Sequence, residues 1–181
     1  MLYGDRDAVS QIERTKGDNN MKESKLPKRF WLIIAVAMIL VSMIGSNLVQ
    51  SDGGKVKIHK VNLVVADGAE LYAQMYIPEQ ASADHKLPLV IVQHGSQHNL
   101  QMQDMNMVEL ARRGFIVISG DAFGHGSSTP RGFVDPSMNF ANMRYLLEYA
   151  CNNLDCVDMD KIGICGHSMG AAITTTTLKY Y

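Results

Sequence analysis

Between Lys161 and Ala172 the chain reads K-I-G-I-C-G-H-S-M-G-A-A: a short apolar run meets Gly166-His167-Ser168-Met169-Gly170, and small residues follow. A Gly-x-Ser-x-Gly set between a buried strand and a helix start is a way of making a serine react. The hydroxyl is a poor nucleophile unless it is held clear of its neighbours and offered to a base. A sharp strand-to-helix turn meets the first condition. Gly166 and Gly170 leave out the side chains that would collide where strand and helix crowd together. Free N–H groups at the helix start point at any anion that forms beside Ser168.

Two more polar stretches also follow apolar runs. Leu89-Val90-Ile91-Val92, as continuous as a strand buried on both faces, runs into Gln93-His94-Gly95-Ser96-Gln97-His98. Phe115-Ile116-Val117-Ile118 leads to Asp121-Ala122-Phe123-Gly124-His125-Gly126-Ser127-Ser128. The elements between them can be read from spacing. Leu100 to Arg113 is a helix with Met105, Val108 and Ala111 on one face, stopped at Gly114. Ser137 to Ala150 is a second, with Phe140, Met143, Leu147 and Ala150 on its stripe, and Asn152 to Asp160 is a turn region. Upstream, Val56 to Val65 and Leu71 to Ile77 read as strands joined at Asp67-Gly68, a strong hairpin signal. A hairpin followed by strand, helix, strand, helix and strand is an α/β domain with a largely parallel sheet. Reactive groups in such sheets gather at the carboxyl ends of the strands, where all three polar stretches fall.

The chain has 181 residues, enough for one domain with appendages, and its formal net charge of −1 gives no reason to expect a nucleic-acid partner. One block stands apart. Phe30 to Val49 carries no charge and as a helix is roughly 30 Å long, the thickness of a bilayer core. Residues 1–29 therefore read as a polar cytosolic tail, 30–49 as an uncleaved transmembrane anchor, 50–55 as a flexible linker and 56–181 as the folded domain. Lys22, Lys25, Lys28 and Arg29 outweigh Lys55, Lys57 and Lys60, which lie farther from the apolar block. That bias puts the N-terminus in the cytosol and the domain on the outer side of a single-pass protein. Cys151, Cys156 and Cys165 fit no metal-ligand spacing, and no metal or organic cofactor is implied. Cys165 reads as a small buried apolar residue of its strand.

From about Val56 onward the chain resembles the α/β-hydrolase family. The resemblance is carried by His94-Gly95 after the third strand, by Asp121…Gly124-His125-Gly126-x-Ser128 after the fourth, and by the Gly166-His167-Ser168-Met169-Gly170 elbow after the fifth. Asp67-Gly68-x-x-Leu71 and Pro78 look most like the dienelactone-hydrolase and prolyl-oligopeptidase-like branches. The resemblance implies Ser168 as nucleophile, with the backbone N–H groups of Met169 and Ser96 as oxyanion-hole donors. It implies that His94, Gly95, Asp121, His125, Gly166, His167 and Gly170 support the elbow and the loops. The substrate would be a small ester or a peptide-like molecule.

One departure is large. The family's order of nucleophile, acid and histidine needs an acid and a histidine after Ser168, and residues 169–181 contain no Asp, Glu or His. The expectation is the N-terminal portion of a hydrolase domain, with one edge of the strand before Ser168 unpaired and no activity of its own. The alternative is a non-catalytic, membrane-bound remnant or pseudo-hydrolase that binds a partner.

Overall fold

The computed structural model describes residues 27–65, 68–130, 132, 138 and 140–179. The chain divides into two compact units, residues 1–42 and 43–181. Helix α1, Lys28–Gln50, contains the uncharged block and buries none of its residues. Most of the expected cytosolic tail lies outside the described residues. The stretch expected as a linker holds a 3-10 turn, Asp52–Gly54. Ser51 links it to the end of α1: its Oγ donates to the Asn47 carbonyl at 2.7 Å and accepts from the Gly54 N–H at 3.1 Å.

The rest of the second unit is one five-stranded sheet with helices on both faces. In chain order its elements are β1 (Val56–Val64), β2 (Glu70–Pro78), β3 (Leu87–Gln93), α2 (Asp104–Arg112), β4 (Ile116–Gly120), α3 (Asn142–Asn153), β5 (Val157–Gly166) and α4 (Met169–Thr177). The strands lie in the order β1-β2-β4-β3-β5. β1 and β2 form the expected hairpin, in register from Val56 opposite Pro78 to Val64 opposite Glu70. Gly68, at φ 74°, supplies the left-handed residue that the turn requires; Asp67 lies outside the described residues. β2 is antiparallel to β4, and β3 is parallel to both β4 and β5. Only β2 therefore runs against the others, and the sheet is mostly parallel as expected.

Alternation along the central strands divides the core into two layers. Leu89, Ile91, Ile116 and Ile118 face Met143, Leu146 and Ala150 of α3 and Ile173 of α4. Val92 and Val117 face the other way, toward Leu100, Met107, Val108 and Ala111. The α2 face differs from its expected phase. Met105 is exposed and Met107 buried, because the stripe runs Leu100, Gln103, Met107, Val108, Ala111 and includes a polar residue. The α3 stripe also departs: α3 starts at Asn142, leaving Phe140 outside it and exposed.

β5 begins at Val157, inside the expected turn region. Its pairing with β3 jumps from Pro88–Asp158 to Leu89–Ile162, so Met159, Asp160 and Lys161 bulge out. Lys161 Nζ bridges the bulge to Asp158 Oδ2 at 2.8 Å. Among the described residues β5 pairs only with β3, and its outer edge is open. Cys165 corrects another expectation. It neighbours Val92 across the sheet, on the face that α2 covers, yet it is exposed because that cover stops short of the edge strand.

Candidate active site

The turn after β5 has the backbone that its sequence requires. Ser168 sits at φ 54°, ψ −114°, a region that a residue with a side chain occupies only when its surroundings hold it there. The surroundings are visible. A Cβ added at Gly166 would run into the backbone of Gly170 and come within 2.9 Å of the Ala171 nitrogen. One added at Gly170 would strike the Gln93 carbonyl and come within 2.8 Å of the His94 carbonyl oxygen. The His167 N–H also donates to the Gln93 carbonyl at 3.1 Å. The turn is thus clamped to the end of β3 on one side and to α4 on the other. Ser168 itself is exposed, and its hydroxyl has no hydrogen-bond partner among the described residues. Met169 is the first residue of α4, so its N–H has no carbonyl four residues earlier within the helix.

The loop after β3 lies against this turn. A Cβ on Gly95 would stand 2.8 Å from His167 Nδ1 and 3.4 Å from Ser168 Cβ, so only a glycine lets the two loops approach so closely. Ser96, next in the chain, is exposed beside it. The His98 and His167 rings stack nearly parallel, 6.1 Å apart.

The loops after β3 and β4 are tied to each other. His94 is buried. Its Nε2 accepts the Ala122 N–H at 2.9 Å, so its proton sits on Nδ1, which donates to the Gly95 carbonyl at 2.7 Å. Burial holds the His94 pKa below the ordinary histidine value, and the neutral ring is the form that these bonds need. Buried Asp121 accepts the Leu100 N–H on Oδ1 and the Ser127 N–H on Oδ2, both at 2.8 Å. Gly126, at φ 50°, is packed so closely on that carboxylate that any side chain would overlap it. His125 points its Nδ1 at the Phe123 carbonyl at 3.2 Å, and its ring meets that of His94 edge-on at 5.2 Å. None of His94, His98, His125 and His167 is hydrogen-bonded to Ser168. The geometry brings the candidates together at one end of the sheet, with His94 and Asp121 engaged in holding loops.

Ser128 of the loop motif, and Gln93 and Asn142, to which the sequence assigned no role, also fix this end of the sheet. Gln93 is fully buried and its side-chain amide donates to the Gly120 carbonyl at 3.2 Å, linking β3 to β4. Ser128 accepts the Tyr72 N–H at 2.9 Å and donates to the Asp121 carbonyl at 2.6 Å. Asn142 accepts the Phe123 N–H at 2.9 Å. A polar residue ending an otherwise apolar strand was the available signal for Gln93. Nothing local marked Asn142.

A family model described as alpha/beta hydrolase fold matches residues 88–181. No curated protein matches the chain. Among solved structures, it is similar to Est1E from Butyrivibrio proteoclasticus with ferulic acid bound, at 26% identity and TM-score 0.56, over 66% of this chain and 47% of that one. It is also similar to the Pyrococcus furiosus esterase Pf2001, at 17% identity and TM-score 0.57, over 71% of this chain and 48% of that one. A third likeness is to the thioesterase domain from the curacin biosynthetic pathway, at 20% identity and TM-score 0.53, over 68% and 40%. The last two likenesses are of fold alone. The chain spans less than half the length of each of these three structures.

Proposed function

Because the chain belongs to the α/β-hydrolase fold family, we propose that it is the N-terminal part of a membrane-anchored serine hydrolase acting on esters, thioesters or amides. The observation that carries this reading is Ser168 at φ 54°, ψ −114°, fixed between two glycines that have no room for a side chain. Strain of this kind costs on the order of 1–3 kcal/mol and persists where function needs it.

In the proposed reaction, Ser168 Oγ forms a bond to the substrate carbonyl carbon as its proton passes to a base. The carbonyl oxygen becomes an oxyanion, held by the N–H groups of Met169 and Ser96. Collapse breaks the bond to the alcohol, thiol or amine, which leaves with the proton. Water then attacks the acyl-enzyme, releasing the acid and restoring Ser168. Residues 169–181 contain no Asp, Glu or His, so the base that takes the Ser168 proton does not come from that segment. The anchor is α1, the one helix among the described residues that is long and apolar enough to cross a membrane, with the N-terminus cytosolic.

The test is hydrolysis of short p-nitrophenyl esters by membranes carrying the whole translated protein, with Ser168→Ala as control. Turnover that falls to background in Ser168→Ala supports the reading; equal turnover in the two contradicts it. A second reading, a non-catalytic membrane protein that binds a partner, draws on the outer edge of β5, which is open among the described residues. It predicts no turnover by the whole protein and no effect of Ser168→Ala on binding.

A further inference from the structure

Away from Ser168, the last turns of α1 and one side of α2 enclose a groove of about 410 Å³. Gly45, Val49, Met105 and Val108 give it apolar walls, and Asp104, Glu109 and Arg112 supply its charges. Two of these charges are already matched. Arg112 Nε lies 3.2 Å from Asp52, and its Nη1 lies 2.9 Å from Glu109. Its Nη2 donates to the Val49 carbonyl at 3.0 Å, and Glu109 also takes Arg113 at 2.6 Å.

Asp104 is different. Among the described residues its carboxylate has one polar contact, the buried Tyr76 hydroxyl, which donates to Oδ1 at 3.4 Å, and no cation within ion-pair distance. Its position at the start of α2 explains why a carboxylate is tolerated there. It does not explain an apolar groove opening beside that carboxylate. Burial has already moved the Asp104 pKa up, the cost expected of a carboxylate lacking a counter-ion.

We propose that this groove binds a single-chain amphiphile with an ammonium head, its alkyl chain lying along Gly45, Val49, Met105 and Val108 and its head paired with Asp104. Charge complementarity selects the head, because Asp104 is the one charged group of the lining with no ionic partner among the described residues. Apolar walls select the chain. The source is the membrane interface: one wall is the final turns of the helix proposed to span the bilayer, so an occupant sits where alkyl chains meet water. The proposal rests on that membrane reading for its source and is independent of the serine chemistry.

The experiment uses the full chain in an uncharged amphipol and three dodecyl probes carrying a diazirine in the chain, with trimethylammonium, hydroxyl or sulfate heads. Mass spectrometry maps the labelled peptides. The ammonium probe is expected to label the peptides of Val49 and Met105–Val108 about tenfold more than the sulfate probe, a difference of about 1.4 kcal/mol. Asp104→Asn is expected to bring the ratio close to one, and Asp104→Glu to retain most of it. Gly45→Leu, whose new side chain enters open space, is expected to abolish labelling by all three probes while circular dichroism stays unchanged. Equal labelling by the three heads, or selectivity surviving Asp104→Asn, would overturn the proposal. Carbonate extraction of membranes carrying the chain tests the anchor separately. A chain released by carbonate removes the membrane source and leaves the binding result to stand by itself.

Discussion

His94 and Asp121 hold each other's loops. His94, after β3, accepts the Ala122 N–H of the loop after β4 at 2.9 Å; Asp121, after β4, accepts the Leu100 N–H of the loop after β3 at 2.8 Å. Each buried side chain uses its acceptor on the other loop's backbone. Gly95, adjacent to the elbow, is therefore positioned by the same brace that positions Asp121.

The brace predicts a pH dependence. The folded pKa of His94 is lowered by burial, and its ring lies near Asp121, His125 and His98. As pH falls below about 6.5, an unfolded histidine takes up a proton before the folded one does. The stability that His94 contributes is thus fully present above that pH and is lost below it. Protonated Nε2 would also set a donor against the Ala122 N–H, leaving a buried group unpaired at a cost of about 1–3 kcal/mol. Thermal unfolding from pH 7.5 down to pH 5 should show a steeper loss in the wild type than in His94→Asn, which starts less stable. Parallel curves would contradict the assignment.

Two glycines should be intolerant for different reasons. Gly126→Ala places a methyl on the Asp121 carboxylate at a positive φ, and Gly170→Ala places one against the Gln93 and His94 carbonyls. Each is expected to cost at least about 2–4 kcal/mol, read by denaturant unfolding. Gly132→Ala, with nothing near its Cβ among the described residues, is the control and should change stability by less than about 0.5 kcal/mol.

The sheet and the elbow were legible in the sequence because short-range signals wrote them: Gly68 for the hairpin, continuous apolar runs for β3 and β4, and paired glycines around Ser168. What was not legible depends on distant partners. Gln103 sits on the buried stripe of α2 and disguised its phase, so Met105 was read as core in place of Met107. Cys165 looked like core because its strand is apolar, and only sheet order shows that it stands at an edge. The bulge at Met159–Lys161 gave no local sign, so β5 was read as starting too late. In the site, the glycines announced themselves by spacing, whereas Asn142 acts on Phe123 from 19 residues away.

If the Ser96 contribution is its backbone N–H, the side chain should be dispensable and the N–H should not. Ser96→Ala is expected to leave kcat of the whole protein within about threefold, while Ser96→Pro, which removes the donor, lowers it by about 100-fold to 1,000-fold. Circular dichroism of the proline variant checks that the fold survives. An equal loss in both variants would assign the role to the hydroxyl instead.

Among the described residues the outer edge of β5 is open and Ile162 is exposed, and an unpaired apolar edge is a template for association. Ile162→Lys should slow aggregation of residues 43–181 in light-scattering assays, with a stability change within about 0.5 kcal/mol. Unchanged aggregation would mean that another surface drives it.

The central claim is that Ser168 is a nucleophile, and covalent capture tests it most directly. Membranes carrying the whole translated protein are treated with a fluorophosphonate, digested, and the adduct located by mass spectrometry. The account predicts one phosphonylated residue, Ser168, with labelling lost in Ser168→Ala and prevented by prior heat denaturation. A native protein that takes no label, or one labelled equally well in Ser168→Ala, would contradict it.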